Sequence, residues 1–307
     1  MAAISAAADA HPVTRAVNGF YEELPFNAYQ APADAARLIQ RGNQVKDAYP
    51  AAHTFLQQSR FRRVLEIGCG TGWFANSVAH HYGATVDAVD LCTSALAFAT
   101  DVSAALGVTS RCRYHHADIF KLDASTLPAE ARFPLVNSLG VLHHTFDCRG
   151  ALEAILPRIE PGGFLHLGLY HSYGRRPFLD LFSEVRDHLS EPPTAAREAL
   201  EQAAFARYKA LYPPAVTDET LLRSWFRDQV LHPHETQHSV EEVYGWLTDA
   251  GVACVSTSVT GFEPVTDWDA VFAREKTLAD VSYRRNVLEQ RYYPGFFVIV
   301  AQRPLVP

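Results

Sequence analysis

The stretch that most restricts this chain runs from Phe61 to about Tyr170, where short apolar segments alternate with amphipathic ones. Successive βα units of a mostly parallel sheet produce that rhythm. Strands are expected at RRVLEIG, ATVDAVDL, RCRYHHAD, PLVNSLG and FLHLGLY. Between them WFANSVAHHY, SALAFATDVSAALG and CRGALEAILPRI carry helical spacing of apolar residues, with Gly107 and Pro161-Gly162-Gly163 as terminators. The expected core is a doubly wound α/β domain.

After Tyr170 the rhythm changes. Residues 172–238 hold no convincing strand but several helical pieces, PFLDLFSEVRDHL, AAREALEQAAFARYKALY and DETLLRSWFRDQV, separated by EPP and YPP. They are expected to form a helical lid inserted over the sheet's edge, a common place for substrate-binding segments. SVEEVYGWLTDAG resumes as a helix, and VACVSTSVT and PGFFVIVAQ add two strands, completing a seven-stranded, mostly parallel sheet. The expected divisions are a helical cap over 1–60, a core over 61–171, the lid over 172–238 and the completing helix and strands over 239–307.

Composition excludes several classes. A chain of 307 residues with 48% hydrophobic residues buries a large core without disulfides. A net charge of -7 argues against binding duplex nucleic acid. The five cysteines, at 69, 92, 112, 148 and 254, form no CxxC pair and suit a reducing compartment. MAAISAAADAHPVTR lacks the basic and apolar regions of a signal peptide, and no apolar run reaches spanning length, so the expectation is a cytoplasmic protein away from membranes. Nothing in the sequence bears on oligomeric state.

The first βα turn reads VLEIGCGTGW. Gly68, Gly70 and Gly72 allow a sharp bend and close approach of a ligand to backbone N–H groups. The dinucleotide fingerprint needs glycine at 73, where Trp73 stands, and no GK[ST] follows. Downstream, Asp90 ends the second strand and Asp118 the third, with Glu66 near the end of the first. Three carboxylates at adjacent strand ends, without Lys or Arg in the turn, suit an adenosine-bearing cation that lacks phosphate. S-adenosylmethionine is such a ligand.

In order along the chain, LEIGCGTG, AVDL, HADIF, NSLGVLHHT and IEPGGFLHLGLY resemble the motifs of class I S-adenosylmethionine-dependent methyltransferases over about residues 61–170. The resemblance implies a Rossmann-like fold, Gly68, Gly70 and Gly72 beside the methionine moiety, and Asp90 with Leu91 at the ribose. It also implies Asp118 on the adenine amine, Ile119 against the ring, Asn137 near the sulfonium, and Glu66 holding the turn or the ammonium group. The flanks resemble a bacterial subset with FYxxxPFNxY, GLYxxYGR and HPHExxH; His171 stands where that subset often carries Asn.

Methyl transfer asks the protein for alignment, desolvation and, with a protonated nucleophile, a base. The candidates are Asn137, His143, His144, Tyr170, His171, Tyr173, His232, His234 and His238. Tyr21 and Tyr29 either favour the sulfonium charge or simply cap the sheet with aromatic rings. His115 and His116 are expected to be structural, and Arg175-Arg176 to be solvated charge rather than a carboxylate clamp.

His234-Glu235-Thr236-Gln237-His238 spells HExxH, which binds zinc only when both histidines lie on one helical face. Pro233 before it and the capping box Ser239-Val240-Glu241-Glu242 after it place the run ahead of a helix, on the lid. No metal is expected there, although a looser site formed by His171, His232, His234 and His238 is a second reading.

The expected function is transfer of a methyl group to a nitrogen, oxygen or sulfur nucleophile of a small molecule. The alternative is cyclisation of S-adenosylmethionine itself, as in azetidine-2-carboxylate synthases, with release of methylthioadenosine. More remote are a non-catalytic cofactor-binding subunit and an HExxH metalloenzyme.

Overall fold

A computed structural model describes residues 11–123, 125–192 and 194–305. The reading of the first ten residues lies outside this range. Four helices come first: α1 (Pro12–Glu23), α2 (Pro32–Arg41), α3 (Gln44–Ala48) and α4 (Pro50–Leu56). The alternating core follows as β1 (Arg63–Ile67), α5 (Trp73–Tyr82), β2 (Thr85–Asp90), α6 (Thr93–Leu106), β3 (Cys112–His116), β4 (Phe133–Leu139), α7 (Cys148–Ile155) and β5 (Ile159–Tyr170).

Strand order is β3-β2-β1-β4-β5-β7-β6, with β6 (Ala253–Thr257) and β7 (Phe296–Gln302) joining at one edge. Strand β7 runs antiparallel to both β5 and β6, while β1 to β5 pair in parallel. The order reverses at β1, so the carboxyl ends of β1 and β4 open a crevice at the switch point. One apolar cluster, including Leu65, Ile67, Val136, Leu165 and Ile299, packs one face of the sheet; Val64, Phe74, Val78 and Val86 pack the other.

Between β5 and the helix α12 (Val240–Asp249) stand α8 (Ser172–Asp180), α9 (Ser183–Arg186), α10 (Ala195–Ala210) and α11 (Glu219–Phe226). A π-helical turn, Arg227–Leu231, continues α11. These helices share an aromatic core of Phe178, Phe182, Phe205, Tyr208 and Phe226. They meet the sheet at the carboxyl end of β5 through Tyr170 and Asp228.

Two expectations change. Pro161, Gly162 and Gly163 do not end a helix; they lie inside β5, where a Cβ on Gly163 would stand 2.9 Å from the Glu160 carbonyl and crowd those of Phe133 and Pro134. Residues 262–293, left without structure in the sequence reading, form α13 (Trp268–Glu275) and α14 (Leu278–Tyr283), the latter extended by a second π-helical turn. Among the described residues no helix is long and apolar enough to cross a membrane.

Candidate active site

The glycine turn follows β1 directly. Gly68 has φ +69°, and a Cβ there would stand 2.3 Å from the Val141 side chain, so both backbone conformation and space demand glycine. Gly70 has φ +51° and meets nothing nearer than a carbonyl at 3.9 Å, leaving its Cα open to the cavity. Gly72 works differently: a Cβ would meet Ala99 and Asn76, so this glycine lets α5 and α6 approach and does not line the cavity.

A cavity of about 370 Å³ lies over the turn. Glu66, Gly68, Gly70, Asp90, Leu91, Asp118, Ile119 and Asn137 line one wall, while Tyr21, His144, Tyr170, Asp228 and Gln229 line the other. No lysine or arginine lines it among the described residues.

On the first wall, Asp90 Oδ2 accepts from Gly70 N at 2.7 Å and Oδ1 from Cys92 N at 2.9 Å. Burial nevertheless raises its pKa, against those donors. Glu66 Oε2 is buried without a partner, and burial holds its carboxyl well above the usual range. Asp118 follows β3 by two residues and caps the short turn Ile119–Lys121 by accepting from Phe120 N at 3.0 Å. Burial drops His166 to about 3, so the ring is neutral, and its Nδ1 sits 2.8 Å from Asn137 Oδ1, orienting that amide.

On the second wall, Tyr21 donates to Asp228 Oδ1 at 2.5 Å and Tyr170 to Oδ2 at 3.3 Å. Burial raises the pKa of Asp228 and, well above the usual value, those of both tyrosines. His144 Nδ1 lies 2.9 Å from the His234 carbonyl oxygen, which fixes the proton on Nδ1 and the lone pair on Nε2. That Nε2 is buried with no hydrogen-bond partner, 3.8 Å from Asp228 Oδ1. Burial lowers the pKa of His144, and Asp228 only partly opposes this.

Several candidates lie elsewhere. Tyr29 packs beside Ala35 and Ile39 and faces a second cavity, so its phenol is not at the glycine turn. Tyr173 is exposed and lines neither cavity. His171 is fully buried: Nδ1 accepts from Gly174 N at 3.1 Å and Nε2 reaches Glu275 at 2.8 Å, so it caps α8 and anchors α13. Arg175 is not solvated. It is buried in a two-pronged pair with Glu235 (2.7 and 3.1 Å), its guanidinium 3.6 Å above the Tyr170 ring, while Arg176 is exposed.

The HETQH run is extended and precedes α12, as its flanks imply. His234 Nε2 meets the Thr145 carbonyl at 3.0 Å; His238 lies between Thr236 Oγ1 and Glu242. Glu235 is committed to Arg175. His234 therefore straps the segment to the sheet and holds His144 through its carbonyl, without lining the cavity. The sequence reading missed Asp228 and Gln229, whose only signal is a polar triplet, RDQ, between the apolar pairs WF and VL.

Residues 64–163 match the family model described as "methyltransferase domain". Over that stretch, the core of the fold, the chain is similar to a methyltransferase domain. An uncharacterised protein from Synechococcus is 28% identical over 283 residues, covering 87% of this chain and 65% of its own length. A ubiquinone biosynthesis O-methyltransferase from Paracidovorax citrulli is 32% identical over 104 residues, 34% of this chain and 42% of that protein. The chain thus spans less than two thirds of these curated relatives. Among solved structures, PKMT2 from Rickettsia typhi superposes with a TM-score of 0.54 at 15% identity, covering 81% of this chain and 50% of that one, which supports the fold alone.

The methyltransferase domain takes S-adenosylmethionine as cofactor, and the residues present fit it. The unpartnered Glu66 carboxylate suits an ammonium group, the wall free of lysine and arginine suits a sulfonium, and the open Cα of Gly70 admits a ligand against the turn.

Proposed function

We propose that the protein transfers the methyl group of S-adenosylmethionine to a nitrogen, oxygen or sulfur nucleophile of a small molecule. One observation carries this reading: a single cavity joins the glycine turn and its carboxylates to a buried cluster of Tyr21, His144, Tyr170 and Asp228. When bound, the cofactor supplies an activated methyl carbon. In this reading Asp90 and Leu91 hold the ribose, Asp118 and Ile119 the adenine, and Glu66, Gly68 and Gly70 the amino-acid moiety. Asn137 and Tyr170 orient the reacting centre, His144 accepts the proton, and residues 172–238 act as a lid that excludes water. Burial of four of the five cysteines as free thiols suits work in the cytoplasm.

The cavity lies toward the small end of the roughly 300–1,000 Å³ usual for ligand sites, which favours a small acceptor. The same economy of space favours, as a second reading, reaction of S-adenosylmethionine with itself. Incubation with the cofactor alone and then with a metabolite extract, followed by mass spectrometry, separates the two. Release of S-adenosylhomocysteine only with extract supports methyl transfer; release of methylthioadenosine without it supports cyclisation. No product, together with no calorimetric binding of S-adenosylmethionine, sinks both.

A further inference from the structure

At about 370 Å³ the cavity over the glycine turn is small for a drug-sized ligand, so a cofactor with adenine, ribose and amino-acid moieties takes up most of it. Beside Tyr170 and Asp228 there is room only for the reacting end of an acceptor. A second, more open cavity of about 1070 Å³ adjoins the first. Phe26, Asn27, Tyr49, Trp73, Gln229 and Tyr292 line both, so the two spaces meet at these side chains. Asn27 holds that junction together. Its carbonyl and that of Phe26 accept from the Thr71 hydroxyl of the glycine turn at 3.2 Å, and its Oδ1 accepts from Trp225 Nε1 at 2.5 Å. Its backbone is left-handed, with φ +58°, which a non-glycine residue keeps only where its surroundings fix it.

The second cavity is built mainly by the N-terminal cap and the helical insertion, outside the matched residues 64–163. On the insertion side stands a ladder of stacked rings: Trp225 on Tyr212, centres 5.4 Å apart, and Tyr212 on Tyr292, 4.5 Å apart. The ladder ends at the junction, because Tyr292 also lines the first cavity. On the cap side Asp34, Arg37, Leu38 and Arg41 recur at the three- and four-residue spacing of a single face of α2. Among the described residues five charged side chains line this cavity, and four of them are engaged. Arg37 pairs with Asp34, Glu219 faces Arg223 at 3.4 Å, and Asp218 caps α11 by accepting from Leu221 N at 2.9 Å. Arg41 alone has no partner among the described residues.

Building on the methyl-transfer reading, we propose that the second cavity binds the acceptor, a planar aromatic compound that carries a carboxylate. Its ring packs along the ladder, where flat faces and edges meet in the offset geometries that aromatic groups favour. Its carboxylate meets Arg41, whose guanidinium presents paired N–H donors that match two carboxylate oxygens. The nucleophile at the other end of the ring passes Gln229 and Tyr292 into the first cavity. Arg41 is exposed, and an exposed ion pair adds little to affinity. The rings therefore supply most of the binding, and Arg41 chooses among rings of different charge. A cationic ring would face Arg41 as a like charge and find the three carboxylates already engaged.

The test is calorimetric titration of the protein loaded with S-adenosylhomocysteine. The probes are para-hydroxyphenylacetate and para-hydroxyphenylpropanoate, against para-ethylphenol, tyramine and cyclohexanepropanoate. One of the two aromatic acids should bind about five-fold more tightly than each comparison compound, which lacks the charge, reverses it or lacks the ring. Arg41→Gln should bring that acid level with para-ethylphenol. Ala215→Trp, which fills the cavity from an exposed loop, should weaken the acid by about ten-fold or more. Both variants should bind S-adenosylhomocysteine as the wild type does. Failure of both acids to bind, equal binding of acid and phenol, or tighter binding of tyramine overturns the proposal. So does an acid preference that survives Arg41→Gln, or acid binding untouched by Ala215→Trp. In each of those cases S-adenosylhomocysteine formed with a metabolite extract leaves methyl transfer standing. Methylthioadenosine released from the cofactor alone overturns the methyl-transfer reading and this proposal together.

Discussion

The two walls of the cavity are made in opposite ways. The cofactor wall consists of the ends of β1, β2, β3 and β4, and apart from Asn137, which pairs with the His166 side chain, its polar contacts go mainly to backbone. Asp90 is held by Gly70 N and Cys92 N, and Asp118 by Phe120 N. The opposing wall is gathered from α1, the loop after β4, the end of β5 and the π-helical turn. Its hydrogen bonds span long separations, Tyr21 to Asp228 and His144 to His234. Backbone geometry specifies the first wall, and it suits a ligand common to many enzymes. Side-chain pairing specifies the second, which leaves it free to differ with the acceptor.

The largest effect should come from the pair that locks the second wall. Burial works against the Glu235 carboxylate, but the Arg175 guanidinium outweighs it and keeps the pKa below the usual value. Arg175→Met leaves that carboxylate buried and unpaired, for a loss of about 3–5 kcal/mol in urea unfolding. The remaining folded protein should bind S-adenosylhomocysteine within a few-fold of wild type. A stability loss under about 1 kcal/mol would show that the two walls are not locked by this pair.

The converse substitution is Asp90→Ala. Hydrogen bonds to a charged group contribute about 1.5–3 kcal/mol, so S-adenosylhomocysteine affinity should fall about 10–100-fold. Binding of the acceptor to the apo protein should change less. Equal losses for both ligands would erase the distinction between the walls.

These contrasts explain what was legible in the sequence. The strands and the cofactor wall could be read because short apolar runs, buried on both faces of the sheet, turn glycines and strand-end carboxylates are local signals. Asp228 could not be read from the helical pattern. Along α11 the buried residues Leu221, Leu222, Ser224 and Phe226 are interrupted by exposed or half-buried ones, but Asp228, Gln229 and Val230 are buried in succession. The π-helical turn shifts the register, bringing two polar residues onto the inner face where an α-helix would have shown only one side. Glu275 was missed because α13 and α14 are short and charged, so their periodicity is weak. Arg175 was misjudged because its partner lies 60 residues away in the HETQH run.

A third prediction uses pH. His166 titrates near 6.5 when unfolded and about 3 when folded, because burial disfavours its charged form. Between those values the unfolded chain binds the extra proton, so this residue's contribution to stability falls as pH drops below about 6.5. At pH 5 the loss is about 2 kcal/mol relative to pH 7 or above. His166→Gln keeps a donor for Asn137 but cannot titrate, so its stability should fall less than that of wild type between pH 7 and pH 5. Parallel curves would mean that His166 is not the buried neutral support of the cofactor wall.

The smallest effect tests the strap itself. Ser239 accepts from Glu242 N at 3.0 Å, and HETQH stands outside the helix that begins after it. Removing a serine N-cap costs about 1 kcal/mol, so Ser239→Ala should lower thermal stability by that amount. If α12 instead continued backward through HETQH, Ser239 would sit in a helix interior. There alanine is the better helix former, and the same substitution would stabilise the protein. The sign of the change therefore decides between the two conformations. It also bears on His144, because only the extended strap turns the His234 carbonyl toward Nδ1 and leaves Nε2 bare beside Asp228.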